Sequence, residues 1–222
     1  MLSNRLRLSA FFLTSLLTLP PSSNAFETPL SDTAVRDAYF LGQRRNEDLA
    51  HFLDKYTQHL PQPKTGPYIQ SVSFLTPYAI TAQYSSLQPN IYSAQQAQLD
   101  HNKQPEFVRM VVQISLTDSY GPYLMSPTNN RYASPQGIGL RPSNFWKDLR
   151  FRVYDGDKFT IPTNAQGNAT YRCDDEGGCI LTGAVVSFEY SADAFTSDTA
   201  TVQIDPPEGD QVVVDFDLTS FR

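Results

Sequence analysis

The amino-acid sequence predicts a mainly β chain, a two-sheet antiparallel β-sandwich behind an N-terminal helical segment. Three observations carry that expectation. From residue 64 onward, apolar side chains recur at every second position in several short runs, the period of a half-buried strand. Ahead of them, residues 31–60 carry an apolar stripe with the 3.6-residue period of a helix. The only two cysteines, Cys173 and Cys179, flank an acidic, glycine-containing turn, as the arms of a hairpin would.

Residues 1–25 read as an export leader. Arg5 and Arg7 give a positive start, residues 8–19 form an apolar run broken only by Ser and Thr, and Pro20 and Pro21 end it. The run falls short of the ~20 apolar residues that cross a bilayer. Ser23, Asn24 and Ala25 then form a small-x-small pattern that places cleavage after Ala25. The remaining 197 residues carry 15 basic and 23 acidic side chains, a net charge of about −8 with neutral histidines. Such a balance argues against a nucleic-acid partner, which demands a basic patch, and against anionic lipid surfaces. Apart from the leader there is no apolar run long enough to span a membrane, so the expected location is periplasmic or fully secreted.

The helical segment, 26–63, begins with Ser31 as N-cap and Asp32 in the first turn, where a negative charge complements the helix dipole. Leu30 and Val35 occupy the positions of a hydrophobic staple. The stripe runs from Val35 through Ala38, Gly42, Leu49, Phe52 and Tyr56 to Leu60. Gly42 and the polar run Gln43, Arg44, Arg45, Asn46 offer a point of division into two helices, Asn46 capping the second. Pro61 and Pro63 close the segment.

The clearest strand is 107–116, with Val108, Met110, Val112 and Ile114 on one face and Arg109 and Gln113 on the other. Leu149, Phe151 and Val153 alternate with Arg150 and Arg152, and Asp155 and Gly156 mark a tight turn into 158–161. Val186, Phe188 and Tyr190 form another alternating run, and a last hairpin joins 200–204 to 212–218. Weaker strands are expected at 68–75 and 79–84, and a short helix at 93–101 capped by Ser93. Seven to nine short strands, each with one apolar face, need two facing sheets or a closed barrel, and the sandwich is favoured over residues 64–222. The general likeness is to immunoglobulin-like sandwiches, although their cysteine pair bridging two sheets is absent. That likeness rests on strand pattern alone and implies nothing about function.

An even cysteine pair in an exported chain is first read as a disulfide. Residues 169–173 and 179–182 form the arms, and the loop Asp174, Asp175, Glu176, Gly177, Gly178 brings the sulfurs within reach. Redox dithiols use two intervening residues rather than five, and zinc wants four ligands while His101 is the nearest histidine.

No nucleophile elbow, HExxH, phosphate-cradling loop or dinucleotide fingerprint occurs. His51 and His59 fall on the helical segment, too far apart to share a metal, and His101 sits among polar residues with no evident partner. Asp155, Asp157, Asp174, Asp175 and Glu176 supply hard oxygen ligands, which would suit calcium if their turns converge; turn geometry alone also accounts for them. No other cofactor is implied. Asn168, Ala169 and Thr170 form a glycosylation acceptor sequence, relevant only in a glycosylating host.

The long loop 118–147 is the candidate recognition surface. It carries Tyr120, Tyr123, Tyr132, Phe145 and Trp146 beside Arg131 and Arg141. Rigid aromatics with directional donors are typical of ligand-binding surfaces, so Tyr120, Tyr123, Arg131, Tyr132, Arg141 and Trp146 are the candidate binding residues. The competing reading packs Phe145 and Trp146 under the loop as a seal for the sandwich. The function expected is that of a non-enzymatic binding or structural module of the envelope or extracellular space, with an unknown protein or carbohydrate partner. Two alternatives stand beside it, a polysaccharide hydrolase working through two carboxylates and a subunit that accepts a partner's strand.

Overall fold

A computed structural model describes residues 25–45, 47–89, 91–125 and 138–222. The expected leader up to Asn24 and the expected cap Asn46 lie outside the described residues. In chain order the elements are α1 (Asp32–Arg44), α2 (Glu47–Asp54), β1 (Thr57–His59), β2 (Tyr68–Leu75), α3 (Pro77–Leu87), α4 (Ala94–His101) and β3 (Phe107–Ser115). There follow β4 (Tyr123–Met125), β5 (Ile138–Leu140), β6 (Arg150–Asp155), β7 (Lys158–Thr160), β8 (Asn164–Cys173), β9 (Cys179–Ser191), β10 (Thr199–Asp205) and β11 (Val212–Asp217). All pairings among the described residues are antiparallel, so the mainly β, antiparallel expectation holds.

The strands form a five-stranded sheet in the order β1-β2-β3-β9-β8, a four-stranded sheet in the order β11-β10-β6-β7, and a separate β4-β5 ribbon. One apolar cluster draws on both larger sheets. Val72, Met110, Val112 and Val186 enter it from the first, and Val153, Val202, Ile204 and Phe216 from the second. Rings meet across the two sheets, Phe74 against Phe216 at 5.6 Å and Phe151 against Phe188 at 4.9 Å between centroids. Register explains the alternation: Val112 lies opposite both Val72 and Val186, and Val202 opposite both Val153 and Val214. A shift of one residue would turn these faces to water.

Cys173 and Cys179 are bonded at the end of the β8-β9 hairpin, within one sheet. Asp174 accepts from the Gly178 amide, and Gly177 turns the chain at φ 87°. Closing so small a loop stabilises the fold by about 2 kcal/mol on the chain-entropy account.

Two local expectations are corrected. Residues 79–84, expected as a strand, lie inside α3: Thr76 caps it by accepting from the Ala79 amide, and Pro77 stands in its first turn, where a missing N–H costs nothing. The helical lead-in ends at Asp54 rather than Leu60, and Thr57–His59 pairs as β1 with Ser73, Val72 and Ser71 of β2. His59 is therefore on a strand, bonded to Asp54 at 3.0 Å. The break near Gly42 is as expected, with α1 closing at Arg45 in a left-handed conformation of φ 50°.

The four helices form a layer of their own, with Ala34, Val35, Ala38, Tyr78, Ala82 and Ala97 sharing a second core. It joins the five-stranded sheet where Tyr56 and Ala79 pack with Leu75, Val111 and Phe221. The Phe221 ring stacks on Tyr56 at 4.4 Å, and the Arg222 guanidinium reaches Asp37 of α1 at 3.0 Å and the Tyr78 ring at 4.6 Å. No helix among the described residues is long and apolar enough to cross a membrane.

The helices pack closely because Gly42 has no side chain. A Cβ there would sit 2.2 Å from the Ala82 carbonyl oxygen and 2.9 Å from the Ser85 Cβ. Gly42→Ala should force α1 away from α3 and lower the unfolding free energy by about 1–3 kcal/mol in urea titrations. A variant as stable as the parent would mean that the crossing has room for a methyl group.

Candidate ligand cleft

A concavity lies where the helical layer meets the five-stranded sheet, between α3, α4 and the paired ends of β3 and β9. It measures about 340 Å³, at the small end of the range for ligand pockets. Its position follows from local sequence. Ser93 starts α4 by accepting from the Gln96 amide, and the helix ends at His101. A short turn then leads through Glu106 into β3, whose core face bears Val108 and Met110, leaving Phe107 and Arg109 on the cleft side.

Ile80, Tyr84 and Leu87 of α3, with Tyr92, Ala97 and Phe107, supply the apolar walls. Charged groups line the rest. His101 Nε2 and Glu106 Oε1 stand 2.8 Å apart, with side chains only 15% and 11% exposed. Arg109 Nη2 and Glu189 Oε1 stand 2.9 Å apart, on residues directly opposite in the β3-β9 register. Tyr92 donates from its hydroxyl to Asp100 at 3.2 Å. Ser85 is 1% exposed with its Cβ turned to Gly42 of α1, and among the described residues its hydroxyl has no hydrogen-bond partner.

Glu106 is the most enclosed carboxylate of the cleft. Burial alone would raise its pKa, but donation from His101, from the Leu30 amide at 2.6 Å and from the Thr28 hydroxyl at 2.7 Å outweighs burial and holds the carboxyl below its ordinary range. Asp100 is also held low, chiefly by its bond from Lys103. The Tyr92 phenol is pushed up by burial and by Asp100.

The candidates from the long loop lie elsewhere. Tyr120 is 2% exposed, and Arg141 covers it with its guanidinium carbon 3.5 Å from the ring centroid while donating Nε to the Gly121 carbonyl. Burial pushes the Tyr120 phenol up. Phe145 is also in the core, and Trp146 packs on Gly167 of β8 so closely that a Cβ there would meet the indole at 2.2 Å. Tyr123 is the exposed aromatic, on β4. Arg131 and Tyr132 lie outside the described residues.

The acidic turns do not converge. Asp155, 3% exposed, spends its carboxylate within the fold, accepting from the Thr196 and Ser197 amides at 3.0 and 2.8 Å. Asp157 sits in the β6-β7 turn of the four-stranded sheet. Asp174, Asp175 and Glu176 belong to the β8-β9 loop of the other sheet. Among the described residues, no group of three or more His, Cys, Asp or Glu side chains is placed to hold a metal ion.

Sequence reasoning missed Asp100, Glu106, Glu189 and Ser85 and left His101 without a partner. The one usable signal was the pair of polar positions Arg109 and Glu189 on alternating strands, which is silent until the register is known. No protein-family model matches this chain, and no curated protein matches it.

Because its folded pKa is lowered, Glu106 contributes stability that is complete above about pH 4.5 and is lost as the pH falls through the lower folded value. Glu106→Gln should therefore cost about 1–3 kcal/mol at neutral pH and flatten the acid limb of the stability profile. Equal acid limbs for parent and variant in pH-dependent urea titrations would contradict this account.

Proposed function

We propose that this chain is an exported, non-enzymatic binding module of the envelope or extracellular space, which takes a small ligand into the cleft between α3, α4 and the β3-β9 strands. Export rests on the leader sequence and on a disulfide that persists in oxidising compartments. The observation that carries the binding reading is the cleft itself, an apolar pocket of about 340 Å³ with a few convergent polar groups. A hydrolase working through two carboxylates needs one of them held protonated as the acid. In Glu106 the shift runs the other way, which favours an anchoring role.

A second reading rests on β8, the outer strand of the five-stranded sheet, ten residues long and free of proline. Seven of those residues, from Asn164 to Thr170, precede the irregularity in its pairing with β9. Such an edge is suited to receive a partner's strand. Amide exchange over these residues should then slow sharply in the assembled complex, and unchanged exchange would remove the idea.

For the cleft, Gln104 offers a test, since it is exposed and lines the cavity. Ligand-observed NMR of the chain from residue 26 against a fragment library should yield hits that compete with one another and vanish in Gln104→Trp, where an indole plugs the mouth. An absence of hits, or hits indifferent to the plug, would sink this reading.

A further inference from the structure

The cleft's lining also bears on the chemistry of its occupant, an argument that rests on the binding reading above. Three carboxylates face it, Asp100, Glu106 and Glu189, against Arg109 and His101. Lys103 pairs with Asp100 at 2.6 Å from outside the lining, with a side chain 68% exposed. With His101 neutral, the three carboxylates against Arg109 and Lys103 leave one negative charge in excess. The whole chain, at a net −6, adds to the same field.

Aromatic groups stand beside these carboxylates. Tyr84 and Tyr92 meet edge to face at 6.1 Å between centroids on one wall, and Phe107 lies on the β3 side. The cleft already accommodates one organic cation in this manner. Arg109 lies over the Phe107 ring, its guanidinium carbon 5.1 Å from the centroid, while bonded to Glu189. A ring face and a carboxylate together are the surroundings in which a partly desolvated ammonium is stable.

We infer that the cleft between α3, α4 and the β3-β9 strands binds a small organic cation, an ammonium group carried on an aromatic or short aliphatic body. The apolar body lies against Ile80, Leu87 and the tyrosines, and the charged end is held by the carboxylates. An anionic ligand of the same shape is repelled, and a neutral one binds through its body alone.

Three probes of one shape separate these cases: phenethylamine, phenethyl alcohol and phenylacetate, each titrated into ¹⁵N-labelled protein at neutral pH and low salt. The amine should shift the Tyr84, Tyr92 and Phe107 amides and bind at least ~10-fold more tightly than the alcohol, with phenylacetate weakest. Asp100→Asn should weaken the amine several-fold and leave the alcohol unchanged, which also shows that the variant is folded. Equal or tighter binding of the alcohol or the carboxylate, or no shift in the cleft with the amine, overturns the cation assignment. The binding reading survives that result if library hits remain sensitive to Gln104→Trp, and falls with it if they do not.

Discussion

The Glu106 carboxylate is where three stretches of chain far apart in sequence are tied together. Thr28 and the Leu30 amide reach it from just before α1, and His101 reaches it from the end of α4. Its own main chain belongs to the sheet, because the Glu106 carbonyl accepts from the Ala192 amide beyond β9. Removing any one donor would leave a largely enclosed charge under-solvated, which is why the arrangement is held as a unit. The relative position of α1, α4 and β3 is set here, and with it one end of the cleft.

The other end is set by packing rather than by charge. Gly42 lets α1 lie directly on the main chain of α3, with Gln43 donating to the Ser85 carbonyl one residue further on. Phe221 and Arg222 then clasp the helical layer to the sheet through Tyr56, Tyr78 and Asp37. Helices that share only a small core, four alanines with Leu30, Val35, Leu49 and Tyr78, have little cohesion of their own. Their placement depends on these attachments.

Much of the fold was legible because strands with one buried face must alternate. The pattern located Tyr68–Leu75 within its true bounds and Phe107–Ser115 within one residue. It failed at 79–84, where Ala79, Thr81 and Gln83 alternate with Ile80, Ala82 and Tyr84 and so imitate a strand. The deciding signal was upstream: Thr76 followed by Pro77 is a helix start, and the capping bond of Thr76 confirms that local chemistry outweighed the alternation. The cysteine pair was legible because its geometry is local. The cleft was not, since its residues come from α3, α4, β3 and β9, and only tertiary pairing sets Arg109 opposite Glu189. Composition also could not tell which loop aromatics face solvent, as Tyr123 does, and which, like Tyr120, a neighbouring arginine covers.

The chemistry of the cleft follows from how the five-stranded sheet is covered. The core side of β3 carries Val108, Met110, Val112 and Ile114 against the second sheet, which demands an apolar surface. The opposite side carries Phe107, Arg109 and Val111, and the helical layer covers it unevenly. At Val111 the cover is closer, and this half-buried side chain packs against the apolar cluster of Tyr56, Leu75 and Ala79. At Arg109 the cover stands off and leaves the cleft, so the same strand face can keep a guanidinium and, across the register, a carboxylate. A guanidinium and a carboxylate on this floor therefore need no special device. They result from an ordinary solvent-facing strand side that the helices do not close over here, and the sheet hydrogen bonds that hold the floor in place are independent of whatever enters.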